Sequence, residues 1–329
     1  TEVCAAIAAV IENPEITIDE LNRNYLSGPD FPTGGIIFGT KGIKSAYKTG
    51  RGRVTVRARC VLETNNKGKD VIIVTELPYQ VNKAALIVRI ADLVKNRKID
   101  GITDLRDESD RDGMRIVIEL KRGITPKVVL NQLFTHTALQ QNFSVNSLAL
   151  VNGRPKQINI KEMITYFVEH RKEVVIRRTK YDLKKAEERE HILEGLKIAL
   201  DNIDEVIAII KKSKNVETAR TSLMDRFSLS EKQAQAILDM RLHRLTGLER
   251  EKIKSDYAEL MKKIEHYRSI LASEEMRMDI IKEELRGLID KYHDERRTKI
   301  EYSASDFRIE DTIPDEDVVV TISHLGYIK

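Results

Sequence analysis

The chain has 329 residues, 33% of them charged and 41% apolar, which is enough for two or three structural units and too polar for a membrane protein. Cys4 and Cys60 have no ligand-type spacing to each other or to a histidine cluster, so buried thiols in a reducing, cytoplasmic setting are expected, with no structural zinc and no signal peptide. The formal net charge is +4, yet the acid-free stretch between Asp30 and Glu63 alone contributes more positive charge than that, leaving the remainder net negative.

From Thr1 the pattern is an amphipathic helix (Val3, Ile7, Val10, Ile11), a break at Pro14, and a second short helix whose Thr17 and Glu20 are spaced as a capping box. Because Thr1 is not an initiator methionine, the chain is expected to be a segment or processed product of something longer. Ser27 to Gly35 is dense in turn formers and reads as a rigid loop. The basic run follows: Lys41, Lys44, Lys48, Arg51, Arg53, Arg57 and Arg59. The arginines occupy odd positions while Val54, Val56, Ala58 and Cys60 occupy even ones, which predicts one strand with a cationic face and an apolar face. Such a ridge repels itself, and a polyphosphate backbone suits it better than an acidic protein surface or plain solvent, because arginine forks match phosphate oxygens. Phe31, Phe38 and Tyr47 are too sparse for base stacking, so these seven residues are the candidate contacts to duplex DNA held without sequence preference.

Further on, strands are predicted over Asp70 to Tyr79 and Met114 to Leu120, helices over Asn82 to Lys95 and Pro126 to Phe134, and a hairpin from Ser144 that turns at Asn152-Gly153. Strands and helices mix without a βαβ beat, so residues 1–158 read as an α+β domain. No catalytic site emerges. A GxxxxGK[ST] phosphate loop is missing, and the histidines have no nucleophile at motif spacing. The acidic residues from Asp104 to Asp112 fit a solvated loop paired to Arg106, Arg111 and Arg115 better than a magnesium site.

Residues 159–300 carry two heptad-spaced stripes. The outgoing one is Leu193, Leu196, Leu200, Ile203, Ile207 and Ile210, and the returning one runs from Ile253 through Tyr257, Leu260, Ile264 and Leu271 to Tyr292, broken only at Glu274. They predict a long antiparallel coiled coil whose outgoing helix, Ile160 to Ser213, would reach on the order of 80 Å at about 1.5 Å per residue. Between the stripes, at about 214–248, sits a small all-α knob, with capping boxes at Ser230/Gln233 and Thr246/Glu249. Its apolar run either packs internally or pairs with a second copy. The candidate dimer contacts are Ile237, Leu238, Met240, Arg241, Leu242 and Leu245. Residues 301–329 read as a polar linker and the first strand of a truncated β domain.

Six separated stretches together resemble the family of bacterial DNA gyrase A subunits, which are type IIA topoisomerases. They are Gly28-Pro-Asp-Phe-Pro-Thr-Gly34, Tyr47-Lys-Thr-Gly-Arg-Gly52, Val74-Thr-Glu-Leu-Pro-Tyr79, Lys98 to Glu108, His191-Ile-Leu-Glu-Gly195 and Gln233 to Leu242. The A-type subunit of topoisomerase IV is the nearest alternative, and a non-enzymatic coiled-coil DNA-binding scaffold or an RNA-binding module are the readings outside the family. The resemblance implies an ATP-dependent enzyme that cuts one duplex, passes another through and reseals the break. In it the α+β domain is the tower cradling DNA, and the knob is a homodimeric exit gate. It also implies an A2B2 complex with an ATPase subunit of the gyrase B type, which would hold the ATP and magnesium sites, and an association with the chromosome. The family's nucleophilic tyrosine lies beside Arg and Thr in a winged helix expected before Thr1. None of the 10 tyrosines here has that context, so this chain alone is expected to cleave nothing and to carry no cofactor.

Overall fold

The computed structural model describes residues 1–65, 68–241, 247–302, 319–322 and 324, with backbone only at 247 and 248. The chain divides into two compact units, Thr1–Thr165 with Leu288–Lys329, and Tyr166–Gly287. Leu242, Leu245, the expected capping box at Thr246 and most of 301–329 fall outside the described residues. Among the described residues no helix is long and apolar enough to cross a membrane.

The first unit is mixed α and β. It opens with α1 (Glu2–Glu12) and α2 (Ile18–Asn24), the latter capped by the reciprocal Thr17–Glu20 box. One four-stranded sheet combines β1 (Ile36–Phe38), β2 (Arg51–Arg57), β7 (Gln140–Asn146) and β10 (Lys299–Glu301) in the order β10-β1-β2-β7, all antiparallel except β10 with β1. A second sheet has the order β3-β4-β6-β5, from β3 (Arg59–Thr64), β4 (Asp70–Glu76), β5 (Ile102–Asp107) and β6 (Ile116–Leu120). Helices α4 (Lys83–Lys95) and α5 (Pro126–His136) supply Leu86, Ile90, Leu93, Val129 and Leu133 to a core with Ile72, Val74, Ile116 and Ile118. Val71, Ile73 and Val117 form a smaller cluster of their own, so β4 is an unbroken apolar run, as a strand covered on both faces must be. The hairpin β8 (Leu148–Val151) and β9 (Arg154–Gln157) turns at Asn152-Gly153, both at positive φ.

Two local outcomes differ from the sequence reading. The basic run does not lead straight from the loop into a strand: α3 (Lys41–Thr49) intervenes, burying Ile43 and Ala46 while Lys41, Lys44 and Lys48 face out. The alternating stretch from Arg51 to Cys60 is also two strands rather than one. Ala58 is buried and donates its N–H to Leu139 O at 2.7 Å, and the chain there leaves the first sheet for the second. The arginine/apolar alternation of β2 runs on through Ala58, Arg59 and Cys60 into the largely exposed β3, so periodicity cannot reveal the change of sheet.

In the second unit, α6 (Ile160–Asp201), which begins in the first, lies antiparallel to α10 (Gly247–Ala272) and α11 (Glu274–Tyr292). The order of cross-links establishes the direction: Arg171 and Arg178 reach Glu284, Lys172 reaches Glu274, Glu187 reaches Arg268, the Tyr257 hydroxyl donates to Glu190, and Arg250 donates to Leu200 O. The solvent-exposed ion pairs among these contribute about 0–1 kcal/mol each, so the apolar seam carries most of the pairing. Leu193, Leu196, Leu200 and Ile253 are buried together, with Tyr257 and Leu260 packed against them.

Neither long helix is continuous. The outgoing one breaks at Asn202, and α7 (Ile203–Lys212) follows. The returning one breaks at Ser273, whose hydroxyl accepts the Met276 N–H at 3.2 Å while Arg277 Nη1 donates to Ile270 O and Leu271 O at 2.9 and 2.7 Å. One polar pair thereby caps both helix ends, and the missing seam residue at Glu274 marks the place. Two shorter helices, α8 (Val216–Phe227) and α9 (Glu231–Leu238), complete the unit, with the Ser230–Gln233 capping box in place.

Candidate nucleic-acid interface

The β2–β7 pair is the informative part of the basic region. Val54, Val56, Phe143 and Val145 point into one core, with Phe31, Ile37 and Ile43. On the opposite face Arg51 pairs with Asn146, Arg53 with Ser144, Thr55 with Asn142 and Arg57 with Gln140. This ribbon therefore alternates cations with amides and hydroxyls and contains no carboxylate. Arg51 and Arg53 are exposed and make no ion pair among the described residues. The polar row on β7, Gln140, Asn142, Ser144 and Asn146 at period two, is visible in the sequence but carries no charge to mark it as a site. Amides and hydroxyls of this kind are ordinary partners of phosphate and sugar oxygens.

Arg57 is held rather than offered. Its guanidinium lies 3.6 Å from the Phe38 ring centre and 4.9 Å from that of Phe134, and its Nε donates to Gln140 Oε1 at 2.5 Å. Burial pulls its pKa below the ordinary arginine value. Arg59 belongs to the second sheet and is 2.8 Å from Glu76. Glu76 also accepts the Gly35 N–H at 2.6 Å, so Arg59 helps to fix the loop before β1.

The lysines of α3 stand on the other side of the first sheet. Ile43 packs with Val54 and Val56, which places the helix over the apolar face, away from the arginines. The approach is so close that a Cβ on Gly42 would lie 1.9 Å from Arg53 O. Lys41 and Lys44 are exposed and free of ion pairs among the described residues, whereas Lys48 is 2.7 Å from Asp19. The expected single ridge is thus an arginine ribbon, a lysine helix behind it, and Arg59 apart from both.

In the acidic run Asp104, Asp107 and Glu108 are ion-paired, whereas Asp110, Asp112 and Arg111 make no ion pair among the described residues. Arg106 reaches Asp104, Glu108 and Glu119 at 2.7, 3.1 and 2.9 Å, and Arg115 reaches Glu108 at 3.3 Å. Asp107 is held down to about 2 by a hydrogen bond from Lys83, with further bonds from Ser109. Among the described residues no group of His, Cys, Asp and Glu is placed to hold a metal ion. His191 does meet a hydroxyl, its Nε2 lying 2.6 Å from Ser230 Oγ, but that hydroxyl also accepts the Gln233 N–H as a helix cap. Gln233 in turn donates to His191 O at 2.8 Å, and a Cβ on Gly195 would come 2.7 Å from its side chain. The contact docks α9 on α6.

Of the candidate dimer residues, Ile237 is only 3% exposed, packed with Leu223, Ala234 and Leu193 inside its own unit. It is therefore core rather than interface, contrary to the sequence reading. Leu238 and Met240 are half-buried and Arg241 is exposed, so these three remain available to a partner.

Comparison with known proteins places this geometry in context. Residues 1–286 match the family model that describes the A subunit of DNA gyrase/topoisomerase IV. The chain is 56% identical over 328 residues to the DNA gyrase A subunit of Clostridium acetobutylicum, covering 100% of this chain and 39% of that protein. Similar values hold for the corresponding gyrase polypeptide of Halalkalibacterium halodurans (55% identical, 100% of this chain, 39% of that protein) and of Staphylococcus aureus (51%, 100% and 37%). The chain therefore spans less than two fifths of the length of these curated relatives.

Proposed function

The chain belongs to the family of DNA gyrase/topoisomerase IV A subunits, and from that premise we propose that it serves the DNA cleavage-reunion subunit of a type IIA topoisomerase of the gyrase kind. In this reading the first unit is the tower that cradles the flank of a cut duplex. The paired helices of the second unit form the coiled coil, and the surface around α9 forms the homodimeric exit gate. The observation that carries it is the β2–β7 face, where Arg51 and Arg53, without ion pairs among the described residues, stand beside Ser144 and Asn146 with no carboxylate among them. Arginine forks bind phosphate oxygens bidentately, the neutral side chains serve the same backbone, and nothing in the row reads base identity.

Supporting roles follow from the same premise. ATP and magnesium are expected on a B-type partner in an A2B2 assembly, and the engagement of Asp104 and Glu108 by arginines supports that reading. Cleavage requires a tyrosine outside this chain's own set. Gyrase is preferred to topoisomerase IV because the relatives just named carry the gyrase name.

Fluorescence anisotropy tests the reading. Duplex DNA of two unrelated sequences should bind the chain with equal affinity and a steep salt dependence, and more tightly than single-stranded RNA. Equal binding of RNA, or a flat salt dependence, would favour an RNA module or a scaffold instead.

A further inference from the structure

Behind the arginine ribbon, α2 and α3 border an open cleft of about 660 Å³ whose lining includes Arg23, Lys44, Lys48, Asp19, Thr40 and Tyr302. Arg23 and Lys44 are exposed and without ion pairs among the described residues, while Lys48 shares Asp19. Three cations against one carboxylate leave the lining at a net charge of +2. Thr40, the residue that precedes α3 at its N-cap, makes no side-chain capping bond, and the first turn of that helix has no acidic residue, so its amide groups add to the positive field. Asp19 responds to this field: the hydrogen bond from Lys48, with the charges of Lys48, Lys44 and Arg23, holds its carboxyl below the usual range. Tyr302, 70% exposed, puts an aromatic ring at the cleft.

We propose that this cleft is a second phosphate site, independent of the arginine ribbon and built for two or more adjacent phosphates of a polyphosphate chain. A single phosphodiester would leave the lining under-neutralised, whereas two linked phosphates balance its net charge and fit within its volume. Arg23 and Lys44 are its primary contacts. Lys48 joins them by exchanging Asp19 for phosphate, so Asp19 sets the affinity by competing for that ammonium. Because α3 lies on the apolar side of β2, a short duplex seated on Arg51 and Arg53 does not have to occupy the cleft. The phosphates come from a nucleic-acid backbone or from a free polyphosphate, and the two sources are separable.

Isothermal titration of the full chain with sodium tripolyphosphate at low salt is the test. One saturable site is expected, weakened about tenfold, the scale of a charge-assisted hydrogen bond, by Arg23→Ala or Lys44→Ala. It should be strengthened by Asp19→Asn and unchanged by Arg51→Ala with Arg53→Ala. Displacement of tripolyphosphate by excess duplex DNA assigns the site to a nucleic-acid backbone, and failure of duplex to displace it assigns the site to free polyphosphate. No saturable binding, or equal losses from the cleft and ribbon variants, would overturn the proposal while leaving the ribbon's own duplex affinity to be judged separately.

Discussion

At the scale of single residues, environment separates side chains that the sequence makes look alike. Arg53 and Arg57 share one strand and one face, yet Arg53 is exposed and Arg57 is clamped between Phe38 and Phe134. The aromatic neighbours come from β1 and α5, distant in sequence, so nothing in the local pattern distinguishes the two. Arg57→Ala should cost stability, about 1–2 kcal/mol for a half-buried cation on aromatic rings, measurable by urea melts, whereas Arg53→Ala should leave the melt unchanged. Ile237 teaches the same lesson at the knob. Its spacing fits an interface or a core equally, and only its burial in a cluster that includes Leu193, Leu196 and Leu200 from far along the chain decides for the core. Ile237→Asp should therefore unfold the second unit, with a cost of several kcal/mol in thermal melts, rather than yield a folded monomer. Burial also raises the Cys60 thiol to about 12. At neutral pH it should resist maleimide until the chain is denatured, and rapid native labelling would contradict that placement.

At the scale of elements, the legible features were those signalled by local chemistry. The capping boxes at Thr17 and Ser230 form with the expected reciprocal bonds, and the Asn152-Gly153 turn closes its hairpin. Ser230→Ala should lower the stability of the second unit by about 1 kcal/mol, since α9 loses its cap and its tie to His191 together. What escaped was decided by tertiary contact: α3 exists because Ile43 and Ala46 pack on β2 through Gly42, and its lysines disguise it as part of a charged strand. The link between α4 and β5 is sensitive to acid. Asp107, bonded to Lys83, is depressed from 3.8 to about 2, so its contribution is complete above 3.8 and is lost as pH falls through about 2. Asp107→Asn should flatten the decline of stability across that interval, as followed by circular dichroism during acid titration.

At the scale of the whole molecule, the mixed α and β character is readable from composition and period, and the family is readable from motifs spread along the chain. The arrangement of charge was not readable. One acid-free stretch of sequence is distributed over a ribbon, a helix on its reverse and a second sheet, because strand alternation and chain crossing, rather than proximity in sequence, assign each residue its face. If the β2–β7 face grips duplex DNA through its phosphates, removing its two exposed arginines must change how binding responds to salt. The most direct test is the salt dependence of duplex affinity for the unaltered chain and for Arg51→Ala with Arg53→Ala. Loss of two phosphate contacts should reduce the slope of log affinity against log salt by about 1.8 and weaken binding uniformly across sequences. An unchanged slope and affinity would contradict the account.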